Sequence, residues 1–275
     1  MDTIAFIGGG NMASAIVGGL VAAGHSAQRL VVVEPNEAQR KRLVDRFGVR
    51  ALAAADASLA DSGVVVWAVK PQMFQAAAAP CRERVGAALH LSVMAGIRSD
   101  TIALAVASER IVRAMPNTPA LIGQGIAGLF ARAAVTDADR FRVEAVLVAT
   151  GQTLWLDSEA ALDAVTALSG SGPAYVFHLV EAMLEAARRM GLPDDAARRL
   201  AVQTIAGSAA LVAASSDSPE TLRRNVTSPG GTTQAALAVF ESRGVKAAIV
   251  EAILAARDRA KELGDELGHQ LGTRG

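Results

Sequence analysis

Aromatic side chains are scarce in this sequence: seven Phe, two Trp and one Tyr among 275 residues. The apolar share is nonetheless 51%, so Ala, Val, Leu and Ile must fill the core, as they do in parallel sheets and helix bundles. An excess of charge is missing too, with 27 basic against 27 acidic residues and a net charge of zero. An electrostatic nucleic-acid binder needs a basic stripe, usually with stacking aromatics, so no nucleic-acid partner is expected. No uninterrupted apolar run approaches the roughly 20 residues of a membrane span, and no membrane partner is expected either. The single cysteine, Cys81, cannot form an internal disulfide and suits a reducing compartment. Met1-Asp2-Thr3 offers no basic leader segment, so a cytoplasmic protein is expected. Four scattered histidines (His25, His90, His178, His269) show no metal-ligand spacing. No metal site is expected.

What is present falls into two textures, in keeping with the prior of about two domains for this length. Up to about residue 156, short apolar runs alternate with Ala-rich helical stretches. The runs are Ile4–Ile7, Leu30–Val33, Val64–Val69, Leu89–Met94, Ile111–Met115, Ile126–Phe130 and Thr153–Leu156. Lacking period-2 alternation, they read as strands buried on both faces of a parallel sheet. After about residue 158 only helical patterns remain. One spans Pro173 to Met190, with Ser171 as a candidate cap, Gly191 and Pro193 as stops, and Phe177, Val180, Leu184 and Ala187 on one face. Others run from Asp194 to about Ala213 and from Val245 to about Leu267. The expected fold is an α/β Rossmann-type parallel-sheet domain over 1–158 followed by an all-α domain over 159–275.

Ile4–Ile7 runs directly into Gly8-Gly9-Gly10-Asn11-Met12-Ala13 and then a helical stretch. Gly8, Gly10 and Ala13 match the G-x-G-x-x-G/A turn, in which backbone approaches a dinucleotide pyrophosphate at a helix N-terminus. Glu34, at the end of the second strand, is placed to bond a ribose 2′-hydroxyl and repel a 2′-phosphate. Asn36, Arg40 and Lys41 follow closely enough to accommodate that phosphate, or Glu34 and Asn36 simply open the next helix. The choice between NADH and NADPH stays open. Lys70-Pro71 and Met115-Pro116-Asn117 follow strands at the sheet edge where ligands bind, and either is also an ordinary proline turn. The amide of Asn117 suits a nicotinamide or a substrate.

A second glycine turn, Asn225-Val226-Thr227-Ser228-Pro229-Gly230-Gly231-Thr232-Thr233, opens a helix. Successive N–H groups and two hydroxyls there can seat a small carboxylate, or the segment is a plain Pro-Gly-Gly turn. Lysine is the scarcest charged residue, at positions 41, 70, 246 and 261 only. His178, alone on its helix, reads as a packing residue. Oxidising an alcohol calls for a His or Lys base, and no convincing one is present. An already protonated imine needs none. A β-hydroxyacid dehydrogenase, which resembles its relatives in using a helical-domain lysine, fits poorly. A non-catalytic dinucleotide sensor would leave the carboxylate seat idle.

Ala164–Tyr175 and Val226–Thr233, with Phe6–Met12, Ala68-Val69-Lys70-Pro71 and Met115–Pro119, resemble the signature of the pyrroline-5-carboxylate reductases in order and spacing along nearly the whole chain. The resemblance implies NADPH- or NADH-dependent reduction of 1-pyrroline-5-carboxylate to L-proline. It also implies a helical domain that makes a homodimer, with dimers often joining into decamers. Carried over by position, Ile7, Gly8, Gly9, Gly10, Asn11, Met12 and Ala13 would hold the pyrophosphate. Glu34 and Asn36 would face the ribose, and Ala68, Val69, Lys70, Pro71, Ala95, Gly96 and Asn117 would border the cofactor. Ser228, Gly230, Gly231 and Thr232 would take the substrate carboxylate, with Asn225 and Glu159 as neighbours. Thr233 would be catalytic, hydrogen-bonding the ring nitrogen.

Overall fold

In a computed structural model residues 2–272 are described, with side chains up to residue 268. His269 and the last residues of the 159–275 span lie outside the described side chains. Contacts divide the chain into two compact units, Met1–Ser171 with Ala255–Gly275, and Gly172–Leu254.

The first unit alternates strand and helix: β1 (Thr3–Ile7), α1 (Asn11–Ala22), β2 (Leu30–Val33), α2 (Glu37–Phe47), β3 (Arg50–Leu52), β4 (Ser62–Trp67), α3 (Phe74–Ala78), α4 (Arg82–Val85) and β5 (Leu89–Ser92). It continues with α5 (Ser99–Val106), β6 (Ile111–Met115), β7 (Gly125–Ala131), α6 (Asp137–Leu147), β8 (Gly151–Trp155) and α7 (Ala161–Val165). The eight strands form one sheet in the order β3-β2-β1-β4-β5-β6-β7-β8. Apolar side chains on its two faces build separate clusters, one around Phe6, Ile16 and Leu91, the other around Trp67, Phe74 and Ile102. Burial on both faces is why the strands read as continuous apolar runs.

Two features depart from the expected all-parallel sheet. β3 is an additional strand of three residues, too short to leave a pattern. β7 pairs antiparallel with β6, while β8 is again parallel to β7. A parallel pair needs a crossover of a dozen or more residues. The link from β6 to β7 is shorter and holds only a 3-10 turn, Thr118–Ile122, so the chain folds straight back.

His90 in β5 is fully buried and accepts a hydrogen bond at Nδ1 from Trp67 Nε1 at 3.1 Å. Burial, aided by the Arg110 charge, pushes its pKa down to about 4. An unfolded histidine titrates near 6.5. The unfolded chain therefore binds more protons between those values, so stability is full above pH 6.5 and falls as pH drops toward 4. The loss should reach about 3 kcal/mol. His90→Asn keeps an acceptor for Trp67 but does not titrate. Urea unfolding at pH 7 and 4.5 should show wild type losing more stability than the variant, whereas equal losses would exclude His90 as the cause.

The second unit contains α8 (Gly172–Arg189), α9 (Asp194–Ala214), α10 (Pro219–Asn225), α11 (Thr232–Ser242) and the start of α12 (Val245–Gly272). The short link at Met190–Pro193 turns at Gly191, whose φ is +79°, and α8 packs on α9. Ser171 does not cap α8 as expected. The chain reaches it through a π-helical segment, Thr166–Gly170, in which the Ser171 N–H donates to the Thr166 carbonyl. Nor is the face through Phe177 a core face within the chain: Phe177 is 61% exposed, and only Ala187, Ala197 and Ala201 in α8 and α9 are buried. His178 is equally unpacked, its side chain 88% exposed beside Glu181 at 3.5 Å. Leu179, Leu200, Leu211, Val239, Phe240 and Ile249 are exposed as well. Apolar area of this extent marks a surface that another chain covers.

Candidate active site

The first candidate seat grows out of β1. The Gly8 N–H continues the sheet by donating to the Val33 carbonyl at 2.9 Å, and the Ala68 N–H donates to the Ile7 carbonyl at 2.8 Å. Gly8 then turns with φ +99°, where a Cβ would lie 2.7 Å from the Ala68 carbonyl oxygen. Only glycine fits. Gly10, the N-cap of α1, has φ −69° and open space where a Cβ would stand. Asn11 and Met12 begin α1, and Ala13 is fully buried, letting the helix sit close on the sheet.

The turn lies where the strand order reverses between β1 and β4, the position at which open α/β sheets bind dinucleotides. A cleft of about 440 Å³ opens there, walled by Gly8, Gly10, Glu34, Ala68, Val69 and Lys70 among others. Its floor adds residues that sequence reasoning missed: Ala53–Ala55 after β3, and Met73, Ala76 and Ala77. The last three stand at helical i, i+3, i+4 spacing after Pro71, a signal that was readable. Together they give the cleft an apolar lining. A glycine turn, an uncapped helix N-terminus and an apolar lining fit a dinucleotide.

Other expected cofactor neighbours are placed less directly. Pro71 opens a 3-10 turn behind Lys70. Ala95 is exposed after β5, and Gly96, at φ +75°, lies against Leu267 of α12, whose Cδ1 is 3.0 Å from where its Cβ would be. Asn36 caps α2, its Oδ1 accepting from the Gln39 N–H at 2.9 Å. The Asn117 amide oxygen accepts from the Ile126 N–H at 3.0 Å and so ties the end of β6 to β7. Glu159 serves the fold: its carboxylate accepts from the Ser99 N–H and hydroxyl, each at 2.6 Å, and pairs with the buried Arg113 at 2.7 Å. Burial opposes its charge, but Ser99 and Arg113 outweigh burial and hold the carboxyl below its ordinary range.

A second candidate seat lies in the helical unit, between α10 and α11. Asn225 ends α10 and is exposed. Ser228-Pro229-Gly230-Gly231 forms a turn closed by the Gly231 N–H donating to the Ser228 carbonyl at 3.1 Å. Proline at the second position and glycine with φ +72° at the third suit a type II turn. The Ser228 hydroxyl is folded over Gly231, 2.5 Å from where a Cβ would be.

The expected row of donors needs correction. The Gly230 N–H donates to the Gln234 side chain at 2.5 Å, and that of Gly231 is used within the turn. Both glycines therefore shape the seat without presenting donors. The open N–H groups are those of Thr232 and Thr233, in the first turn of α11, which has no side-chain cap. Thr233 is half-buried, and its hydroxyl makes no hydrogen bond among the described residues. By contrast α2, α6 and α10 carry side-chain caps from Asn36, Thr136 and Ser218, and α5 receives the Glu159 carboxylate. The helix starts left open by Gly10 and Gly231 are thus two ready seats for anions.

Comparison with known proteins bears on both halves. Residues 159–263 match the family model described as pyrroline-5-carboxylate reductase dimerisation, and residues 3–96 the one described as NADP oxidoreductase coenzyme F420-dependent. A pyrroline-5-carboxylate reductase of Pseudomonas aeruginosa is 43% identical over 273 residues, covering 98% of both chains. Among solved structures, a pyrroline-5-carboxylate reductase from Coxiella burnetii superposes with a TM-score of 0.87 at 37% identity, covering 95% of this chain and 98% of that one. The Plasmodium falciparum pyrroline carboxylate reductase with NADP bound gives 0.86 at 28% identity, over 96% and 98%.

Proposed function

The chain belongs to the pyrroline-5-carboxylate reductases, and from that premise we propose how its own residues carry out the NAD(P)H-dependent reduction of 1-pyrroline-5-carboxylate to L-proline, the last step of proline biosynthesis. The carrying observation is the pair of glycine-led, uncapped helix starts at Gly10 and Gly231. The first takes the dinucleotide pyrophosphate and the second the substrate carboxylate. When bound, NAD(P)H supplies a hydride to the imine carbon, whose π electrons move to nitrogen and neutralise the iminium charge.

The chain's part is to bind, orient and stabilise. Thr232 and Thr233 N–H groups anchor the carboxylate in the turn that Ser228, Gly230 and Gly231 shape, with Asn225 at its edge. This fixes the ring for hydride delivery to its imine carbon, and such positioning supplies most of the acceleration. The Thr233 hydroxyl aligns the ring nitrogen through a hydrogen bond. No base is required, in keeping with Lys246 being the sole lysine of Gly172–Leu254 and with the exposed position of His178.

The division of labour runs at residue 158: a dinucleotide-binding half over 1–158 and a substrate and dimerisation half over 159–275. The exposed apolar faces of α8, α9 and α11 support a homodimer through the helical half, with a decamer as the larger assembly. A cytoplasmic location is proposed from the single cysteine, Cys81, which is buried and unpaired; no helix among the described residues is long and apolar enough to cross a membrane. Purified protein mixed with pyrroline-5-carboxylate should oxidise NADH or NADPH, read as falling absorbance at 340 nm. No decline with either nucleotide would refute the proposal.

A further inference from the structure

We infer that Glu34 selects the dinucleotide, making this chain take NADH, with its free ribose 2′-hydroxyl, in preference to NADPH. The inference rests on the cofactor cleft assigned above and concerns which nucleotide that cleft accepts.

Glu34 follows β2 and lines the cleft beside Gly8 and Gly10. Its carboxylate is fixed there at both ends. Oε2 accepts from the Gly9 N–H at 2.9 Å, and Oε1 accepts from the Asn36 N–H at 2.9 Å. The approach is tight, since a Cβ on Gly9 would lie 3.2 Å from Glu34 Cβ. Gly9 is buried, so swinging the carboxylate aside would strand its N–H away from water. The charge therefore stays in place when a ligand arrives.

A carboxylate offers about four acceptor positions, and two are used. Glu34 can still accept from a ribose hydroxyl. A 2′-phosphate brings acceptors and negative charge, and meets in the Glu34 carboxylate a group of like charge with no donor.

The cations and polar groups nearby do not reverse this. Arg40 turns its guanidinium onto the protein, Nη1 donating to the carbonyls of Glu34 at 2.9 Å and Pro35 at 2.7 Å. Asn36 caps α2 through its side-chain oxygen, which leaves only its neutral amide N–H groups to offer a phosphate, with no charge to offset that of Glu34. Lys41 is exposed on α2, where solvent weakens its field. Lys70 lines the cleft after β4, which is separated by β1 from β2 and Glu34.

Equilibrium titration of NADH and NADPH against wild type, Glu34→Gln and Glu34→Ser tests this without turnover. Wild type should bind NADPH at least about 10-fold more weakly than NADH, a like-charge penalty reduced by partial exposure. Glu34→Gln keeps the size and one acceptor but removes the charge, and should narrow the ratio to roughly 3-fold or less. Glu34→Ser frees the Gly9 and Asn36 N–H groups as phosphate donors and should reverse the order. The wild-type preference should also shrink as salt rises, which a purely steric role would not produce. Equal wild-type affinities, or a ratio unchanged in Glu34→Gln, would overturn the inference while leaving the reductase reading intact. Failure to bind either nucleotide would defeat both.

Discussion

Thr233→Ala is expected to lower kcat on pyrroline-5-carboxylate by about 10- to 1,000-fold, the general range for one lost transition-state hydrogen bond. The hydroxyl sits on the second residue of α11, half-buried, with no partner among the described residues. Its loss removes a contact to the ring nitrogen but none that supports the fold. The Thr233 N–H, proposed to anchor the carboxylate, survives the substitution. KM should therefore change far less than kcat, the pattern of an interaction made chiefly in the transition state. Steady-state kinetics at saturating nucleotide separates the two. An unchanged kcat would take Thr233 out of the mechanism, and a rise confined to KM would reduce it to a binding residue.

The second large effect is expected at the first glycine turn, where two neighbouring positions should fail differently. Gly8→Ala puts a Cβ 2.7 Å from a backbone oxygen at a φ of +99°. Left-handed strain and overpacking together should destabilise the fold by roughly 2–5 kcal/mol. Gly10→Ala meets no atom within 4 Å and keeps an ordinary φ of −69°. It should fold as wild type does, yet bind NAD(P)H roughly 100-fold more weakly, because the methyl holds the pyrophosphate off the start of α1. Urea unfolding and nucleotide titration on both variants form the test. Normal binding by Gly10→Ala would mean that the pyrophosphate lies elsewhere.

Much of the first unit was legible because its strands are buried on both faces. β2 and β6 fall on the apolar runs to the residue, and β1, β4, β5, β7 and β8 overlap theirs. β3 was not legible, since three residues starting from the exposed Arg50 carry no period. The reversal of β7 was hidden for another reason: a run of apolar residues has no direction, and only the length of the link from β6 revealed it. The helical unit was legible as helices but not as surfaces. Phe177 has the spacing of a core residue yet points outward, because the periodicity of a dimer face is that of a core. At the proposed carboxylate seat the two glycines marked a turn that opens a helix, as the structure has it. Which N–H groups stay open depended on one rotamer, that of Gln234 reaching back to Gly230, and on the Ser228 turn closing on Gly231. Glu159 shows the same limit, since nothing local tells that its carboxylate caps a helix 60 residues earlier.

The central claim is that the chain delivers hydride from a nicotinamide to the imine carbon of a ring whose carboxylate is anchored at α11. The most direct measurement uses NADH and NADPH carrying deuterium at the transferable C4 position, with mass and NMR analysis of the product. The account predicts L-proline with one deuterium on the ring carbon next to nitrogen and away from the carboxylate. Proline unlabelled at that carbon, or labelled there only when the reaction is run in heavy water, would contradict it.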